Sequence, residues 1–492
     1  MSQLTIPAVR FSFSMQQLFF SLIQVSLGTR ETLSRVPTAD EWQQLYDMAE
    51  RQAILGICFV GVSRLHELSE NPASCIQHPA FCINLPRKLF IRWAGRAAII
   101  QERNEKLDRY CDTLTTQFRE AGFDTCILKG QGVAQLYKYV NANHGPSMVS
   151  CSEVPPLNSP SSLTSNPNNP ASCILHPASN PASSILHSAS NNDFDLSQYR
   201  QSGDIDIWMW PRGEWQMPLK ERRKKVVSYL RSIGECDQPT YHHTDVKLGT
   251  DIPVEAHYTP LWMYSPFTNR RLQRWFDSMA PTEMQNQFSS LEFNRIFILV
   301  HIFRHFLYEG IGLRQLIDYY FVLRSNQQSA SNPASCTLHP ALNKDLEPGT
   351  LHSTLYTLHF IKELGLEKFS SALLWVINEV CVGTTPNQSN PASCSEINPA
   401  SCIDSVELKF LHPALNNAQN EPEGRFLLSE IMQAGNFGHA DSRMKMKSGD
   451  SRFSIFLKHV SRNFHFLAHY PSEVLWSPLW KLWHFFWRIK QR

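Results

Sequence analysis

Two aspartates set two residues apart, Asp204 and Asp206, are the residues of this 492-residue chain best placed to do chemistry. They sit in Ser202-Gly203-Asp204-Ile205-Asp206-Ile207-Trp208-Met209, where acidic and apolar residues alternate. That period of two predicts a β-strand with one buried face. Ile205, Ile207 and Met209 are expected to enter a core, while Asp204, Asp206 and Trp208 point the other way. Carboxylates two residues apart on one strand face stand ~6.6 Å apart at the backbone, so their side chains can converge on one divalent ion or a pair. Two adjacent negative charges are costly unless a cation offsets them. The stretch therefore reads first as a metal site.

Two further stretches complete the chemistry. Tyr241 to Leu248 and Ile252 to Tyr258, joined by Gly249-Thr250-Asp251, predict a hairpin. Glu255 and His257 share a face of its second strand, with Val254, Ala256 and Tyr258 opposite. Three carboxylates from neighbouring strands suit a hard ion such as Mg²⁺ or Mn²⁺. Upstream, Phe123 to Leu128 reads as a strand, Lys129-Gly130-Gln131-Gly132 as a turn, and Val133 to Tyr139 as a helix. Glycines let a ligand come close to the backbone, and a helix N-terminus presents N–H groups to an anion.

The elements that must position these residues follow from the rest of the chain. With 42% hydrophobic and 18% charged residues, the sequence is that of a globular protein with room for two or three domains. Nothing in a net charge of +2 argues for a general nucleic-acid-binding surface. The basic run Lys220 to Lys225 reads as a solvated helix face. The apolar patch Leu18 to Ile23 is too short to span a bilayer and predicts an amphipathic opening helix. No run reaches ~18 apolar residues, so no transmembrane helix and a cytoplasmic location are expected. Twelve cysteines in a long chain without secretory signals predict reduced thiols.

A phrase of the form Asn-Pro-Ala-Ser-Cys recurs at irregular spacing, starting at Asn71, Asn169, Asn332 and Asn390. Three copies carry Cys-x-x-His, but each offers two ligands where zinc needs four. Segments rich in Asn, Pro, Ser and Ala cannot bury enough apolar surface to offset the entropy of ordering, so the copies read as disordered insertions in surface loops. The resulting division is a helical N-terminal region over 1–122 with an insert near 70–85, a core over 123–265 with an insert near 141–195, and a helical C-terminal domain over 266–492 with inserts near 326–346 and 386–420. Within these, helices are expected from Phe13 to Leu65, from Arg87 to a cap at Gly122, and from Trp215 to Ile233. His301 and His305, one turn apart, could bind metal, but without a third ligand a packing or hydrogen-bonding role is expected. Arg314 and Asp318 read as an i,i+4 helix pair. The aromatic, basic stretch Leu475 to Arg492 predicts a helix packed on its own domain, with a peripheral membrane contact as the alternative.

Leu128-Lys129-Gly130, a helix through Leu136-Tyr137, Arg200-x-x-Gly203-Asp204-Ile205-Asp206-Ile207, Val254-Glu255-Ala256-His257 and the run Gly310 to Asp318 together resemble an uncharacterised bacterial nucleotidyltransferase family of the DNA polymerase β-like superfamily. Gln131 stands where that superfamily usually has a small residue. The resemblance implies an α+β fold, with a small mixed-sheet nucleotidyltransferase domain flanked by helical regions. It implies transfer of a nucleoside monophosphate from an NTP, with ATP expected, to an acceptor hydroxyl. Asp204, Asp206 and Glu255 would hold two metal ions ~3.5–4 Å apart. Lys129, Gly130, Gln131, Gly203 and Arg200 would meet the nucleotide, with His257 behind the carboxylates. Two other readings stand beside it. A catalytically inactive, antitoxin-like protein could use the same fold. A sugar-nucleotide-dependent glycosyltransferase using Asp-x-Asp would need a Rossmann-like domain of many βα units.

Overall fold

The alternating stretch is the second strand of a five-stranded mixed sheet. The strands are β1 (Phe123–Ile127), β2 (Ile205–Pro211), β3 (Glu235–Cys236), β4 (His243–Lys247) and β5 (Val254–His257), in the order β1-β2-β5-β4-β3. This computed structural model describes residues 12–70, 84–139, 195–325, 350–383, 421–438, 441 and 451–490. The expected inserts near 70–85, 141–195, 326–346 and 386–420 lie, apart from a few edge residues, outside the described residues.

Before the sheet come α1 (Phe13–Leu27), α2 (Ala39–Arg51), α3 (Leu55–Glu70) and α4 (Arg87–Glu120). Thr38 caps α2 reciprocally with Glu41, which explains why a helix starts at Ala39. Gly122, at φ 88°, turns the chain from α4 into β1. After β1 the chain makes a single helical turn, α5 (Gln131–Ala134), continued as a 3-10 helix over Gln135–Tyr139. The helix expected from Val133 is therefore only one α turn long. A further short turn, α6 (Leu196–Tyr199), leads to β2, and α7 (Leu219–Ile233) follows it. β5 runs parallel to β2, a pairing that needs a crossover, and α7 with the β3–β4 ribbon supplies it. The C-terminal half is helical: α8 (Pro266–Glu283), α9 (Leu291–Tyr308), α10 (Leu313–Arg324), α11 (Thr350–Glu363), α12 (Glu367–Ile377), α13 (Glu421–Ala434), α14 (Arg452–His465) and α15 (Pro471–Lys490). A small mixed sheet flanked by helices is the expected α+β architecture.

Several local expectations need correction. β2 is buried on both faces. Ile205, Ile207 and Met209 pack with Leu107, Leu114 and Leu230 from α4 and α7, while Trp208 and Trp210 enter a second core with α8 and α9. A strand covered by helices on both sides has no solvent face. The first helix is likewise buried nearly all round and is not amphipathic, because α3 and the chain after α12 cover it. In the basic run, Arg222 and Arg223 are buried; the Arg222 guanidinium stacks 3.5 Å over the Trp210 ring and pairs with Asp277 at 3.1 Å. Arginine stems and flat guanidinium groups cover aromatic surface well, so a basic run can face inward.

α15 packs on the rest of the chain through its tryptophans. Trp480 stacks on Trp262 with centroids 3.5 Å apart, and Arg223 lies 4.5 Å from the Trp487 ring. Leu475, Leu479, Leu482 and Phe485 on this helix remain exposed. No described helix is long and apolar enough to cross a membrane.

Candidate active site

Strand pairing brings the three acids together. In the parallel β2–β5 register Asp206 lies opposite Glu255, and Trp208 opposite His257. Side chains at paired positions share a face, so Asp206, Glu255 and His257 meet there, with Asp204 one step before β2. β1 runs antiparallel to β2, so its last residues reach the first residues of β2. The Leu128 N–H donates to the Asp206 carbonyl at 2.9 Å and extends that ladder. Lys129 is thereby delivered to the aspartates, its Nζ 3.4 Å from Asp204 Oδ2 and 3.1 Å from Asp206 Oδ2. His257 Nε2 lies 3.0 Å from Asp206 Oδ1 and 3.4 Å from Glu255 Oε2. The contact of Lys129 with Asp206 is an ion pair outside hydrogen-bond geometry, and Asp206 Oδ2 has no hydrogen-bond partner among the described residues.

The electrostatics reflect three acids crowded around two basic groups. Burial pushes the Asp206 carboxyl up to about 6, against the pull of Lys129. Lys129 holds Asp204 below its usual range. Burial opposes ionisation of Glu255, but the hydrogen bond from His257 and the Lys129 charge outweigh it, and its pKa falls. Burial also opposes the Lys129 charge; Asp204, Asp206 and Glu255 overcome it and raise the ammonium pKa. His257 is raised to about 9, because its bonds to Asp206 and Glu255 outweigh burial.

The turn beside the acids is shaped by close approach. Gly130 has φ 62°, and a Cβ there would stand 3.4 Å from the Asp204 carbonyl. At Gly132 a Cβ would meet the Ile127 carbonyl at 2.8 Å, so the glycine lets the short helix fold back on β1. Gln131 is buried; its amide donates to Asp108 at 2.5 Å and accepts from the Ser202 hydroxyl at 2.7 Å. It ties the turn to α4 and to the segment before β2.

Arg200 points its fork at Asp318 of α10, with Nε–Oδ1 at 2.7 Å and Nη2–Oδ2 at 2.8 Å. Its Nη1 donates to Ser202 at 2.7 Å, and the Tyr137 hydroxyl donates to Asp318 at 2.6 Å. The partner of Asp318 is therefore Arg200, 118 residues away in sequence, and not Arg314 one turn earlier. Arg314 instead donates to the Gln201 carbonyl at 2.7 Å. Packing of α10 against the segment before β2 overrides the local i,i+4 option.

A cleft opens between the sheet and the helical half, lined by Lys129, Gly130, Gly203 and Asp204 on one side and by His301 and Arg314 on the other. His301 is buried, and its Nε2 has no hydrogen-bond partner among the described residues. Its ring packs against those of Phe297 and His305; its place at the cleft is not legible from the helix alone, because the residues across the cleft are far away in sequence. His242 and His243 were also missed. Pairing the two strands of the predicted hairpin would have found His243, which lies opposite His257.

Residues 38–143 and 189–379 match the sequence model of a family described as uncharacterised nucleotidyltransferase. The interruption falls within the low-complexity stretch after Asn141. No curated protein and no solved structure matches the chain. The family match spans more than half of the sequence and includes all three acids, the Lys129-Gly130 turn and the Arg200–Asp318 pair: the chain belongs to this uncharacterised nucleotidyltransferase family.

Proposed function

We propose that the protein is a metal-dependent nucleotidyltransferase that moves a nucleoside monophosphate from an NTP, ATP in the first instance, to a hydroxyl of an acceptor. The observation that carries this reading is the meeting of Asp204, Asp206 and Glu255 beside the Lys129-Gly130 turn. The donor set fits a hard divalent cation: three carboxylates share the one ammonium group of Lys129, and the buried Asp206 Oδ2 has that ion pair and no hydrogen bond among the described residues. In this reading the three acids hold Mg²⁺ or Mn²⁺, which when bound eases loss of the acceptor proton and screens charge on the triphosphate.

The chain's own residues do the rest. Lys129 supplies a buried positive charge beside the phosphates. Gly130 and Gly203 let the nucleotide approach the backbone. Gln131 and Arg200 keep the turn and the segment before β2 in place around it. His257 orients Asp206 and Glu255. A cytoplasmic location belongs to the same proposal, because it supplies NTPs and keeps thiols reduced.

The inactive, antitoxin-like reading is disfavoured by the presence of all three acids. The glycosyltransferase reading is disfavoured by a sheet in which β2 and β5 are the only parallel pair of named strands. The test is incubation of the full chain with labelled NTPs, Mg²⁺ and a panel of hydroxyl-bearing acceptors. Label transfer with pyrophosphate release should fall at least ~100-fold in Asp204→Ala, since metal-bound charge stabilisation is worth several kcal/mol. Absence of transfer from every NTP, or an Asp204→Ala protein as active as the parent, would overturn the proposal.

A further inference from the structure

We propose that His242, His243, His257 and Glu255 form a second cation site, rich in nitrogen, for a borderline divalent ion such as Zn²⁺ or Co²⁺. Sheet register assembles it: His243 lies opposite His257 and Asp245 opposite Glu255. His242 adjoins the end of β4, its ring centroid 5.4 Å from that of His257. His242 Nε2 and His243 Nδ1 share a hydrogen bond at 2.9 Å. Glu255 Oε2 is 3.7 Å from His243 Nδ1 and 3.4 Å from His257 Nε2. One nitrogen from each of the three rings fits within a 4.8 Å sphere of mutual distances. Four donors held ~2.1 Å from a tetrahedral centre stand about 3.4 Å from one another. The separations of 2.9, 3.4 and 3.7 Å lie around that spacing, with Glu255 beside His243 and His257.

The outward nitrogens give a second, independent sign. His257 Nδ1 lies 3.1 Å from the Pro260 carbonyl, which can only accept. His242 Nδ1 lies 3.4 Å from Thr240 Oγ1, whose own hydrogen goes to the His243 carbonyl at 2.9 Å. His243 Nε2 faces Asp245 Oδ1 at 3.9 Å. A metal-bound imidazole characteristically turns its other N–H to a carbonyl, a carboxylate or a similar acceptor. The outer nitrogens thus face acceptors, while the inner ones share the His242–His243 hydrogen bond and, at His257 Nε2, a hydrogen bond to Asp206 Oδ1; a divalent ion bound there would replace those hydrogens. Nitrogen donors suit Zn²⁺ and Co²⁺, whereas Mg²⁺ keeps to oxygen. His243 and Glu255 retain 15% and 26% side-chain exposure, which leaves a path for a hydrated ion.

Glu255 belongs to this set and to the aspartate set, and Asp206 Oδ1 borders it 3.0 Å from His257 Nε2. The inference does not depend on nucleotidyl transfer, because a chain without that activity would still bind the ion. The test uses untagged full-length protein, stripped with a chelator and titrated with Co²⁺ in excess Mg²⁺. One equivalent should bind and give the visible absorption of a four-coordinate site. Proton NMR of the Co²⁺ form should show two or three hyperfine-shifted exchangeable imidazole N–H signals. His242→Ala and His243→Ala should each weaken Co²⁺ binding at least ~10-fold, the cost that even outer partners of a metal ligand carry, while Asp204→Ala leaves it unchanged. No stoichiometric binding, one shifted N–H or none, or unchanged affinity in folded histidine variants would overturn the site. Should those variants fail to fold, the NMR signals of the parent protein decide.

Discussion

Asp318 and Asp206 are both buried aspartates, at 5% and 0% exposure, yet their surroundings differ in kind. Asp318 meets a bidentate guanidinium and a tyrosine hydroxyl, all at 2.6–2.8 Å. Burial opposes its ionisation, but Arg200 and Tyr137 outweigh that and its pKa falls. Asp206 shares one lysine with Asp204 and one histidine with Glu255, and burial pushes its pKa up to about 6. The first cluster is balanced and fixes α10 to the segment before β2. The second carries surplus negative charge, which the fold tolerates at a cost. A balanced buried pair is scaffold, and an unbalanced one has room for a cation.

The largest effect expected from this contrast is on stability. Asp318→Ala leaves Arg200 buried and unpaired, which should cost about 3–5 kcal/mol in urea unfolding. A cost below about 1 kcal/mol would place Asp318 in the same class as Asp206 and remove the contrast.

Glu283 sharpens it with a third solution. This buried carboxylate accepts from the Ser290 N–H at 2.7 Å and its hydroxyl at 2.6 Å, with no cation against it among the described residues. Burial pushes it up to about 7. A raised acid favours the folded state while protonated, so its contribution is full below about 4.5 and is lost as pH rises through about 7. Glu283→Gln stays neutral. Between pH 4 and pH 8 its unfolding free energy should therefore gain on the parent by up to roughly 3 kcal/mol. Parallel stability–pH curves for the two proteins would show that no proton sits there.

The smallest effect is expected at the crowded acids. Asp206→Asn removes surplus charge, so without added metal its unfolding free energy should stay within about 1 kcal/mol of the parent or rise. A loss near that of Asp318→Ala would mean that Asp206 is scaffold too.

Much of the acid face was legible because its signals are local. Period-two alternation from Asp204 to Met209 identified β2, and a turn between two β-rich runs identified the hairpin carrying Glu255. Gly130 marked a turn that needs positive φ. The second burial face of β2 was not legible, since an apolar-polar alternation does not reveal that Trp208 will be covered by α9. Nor was the inward direction of Arg222, which depends on a tryptophan from another element.

By itself, then, the sequence determined the strand, the hairpin, the turn and the acidic residue types, because each is written in neighbours a few positions apart. Only the tertiary structure decided which acids share a strand register, that Arg200 and not Arg314 holds Asp318, and that His242, His243 and His257 come together. Those are contacts between residues tens to more than a hundred positions apart. Sheet order and helix packing select them, and no local pattern encodes the choice.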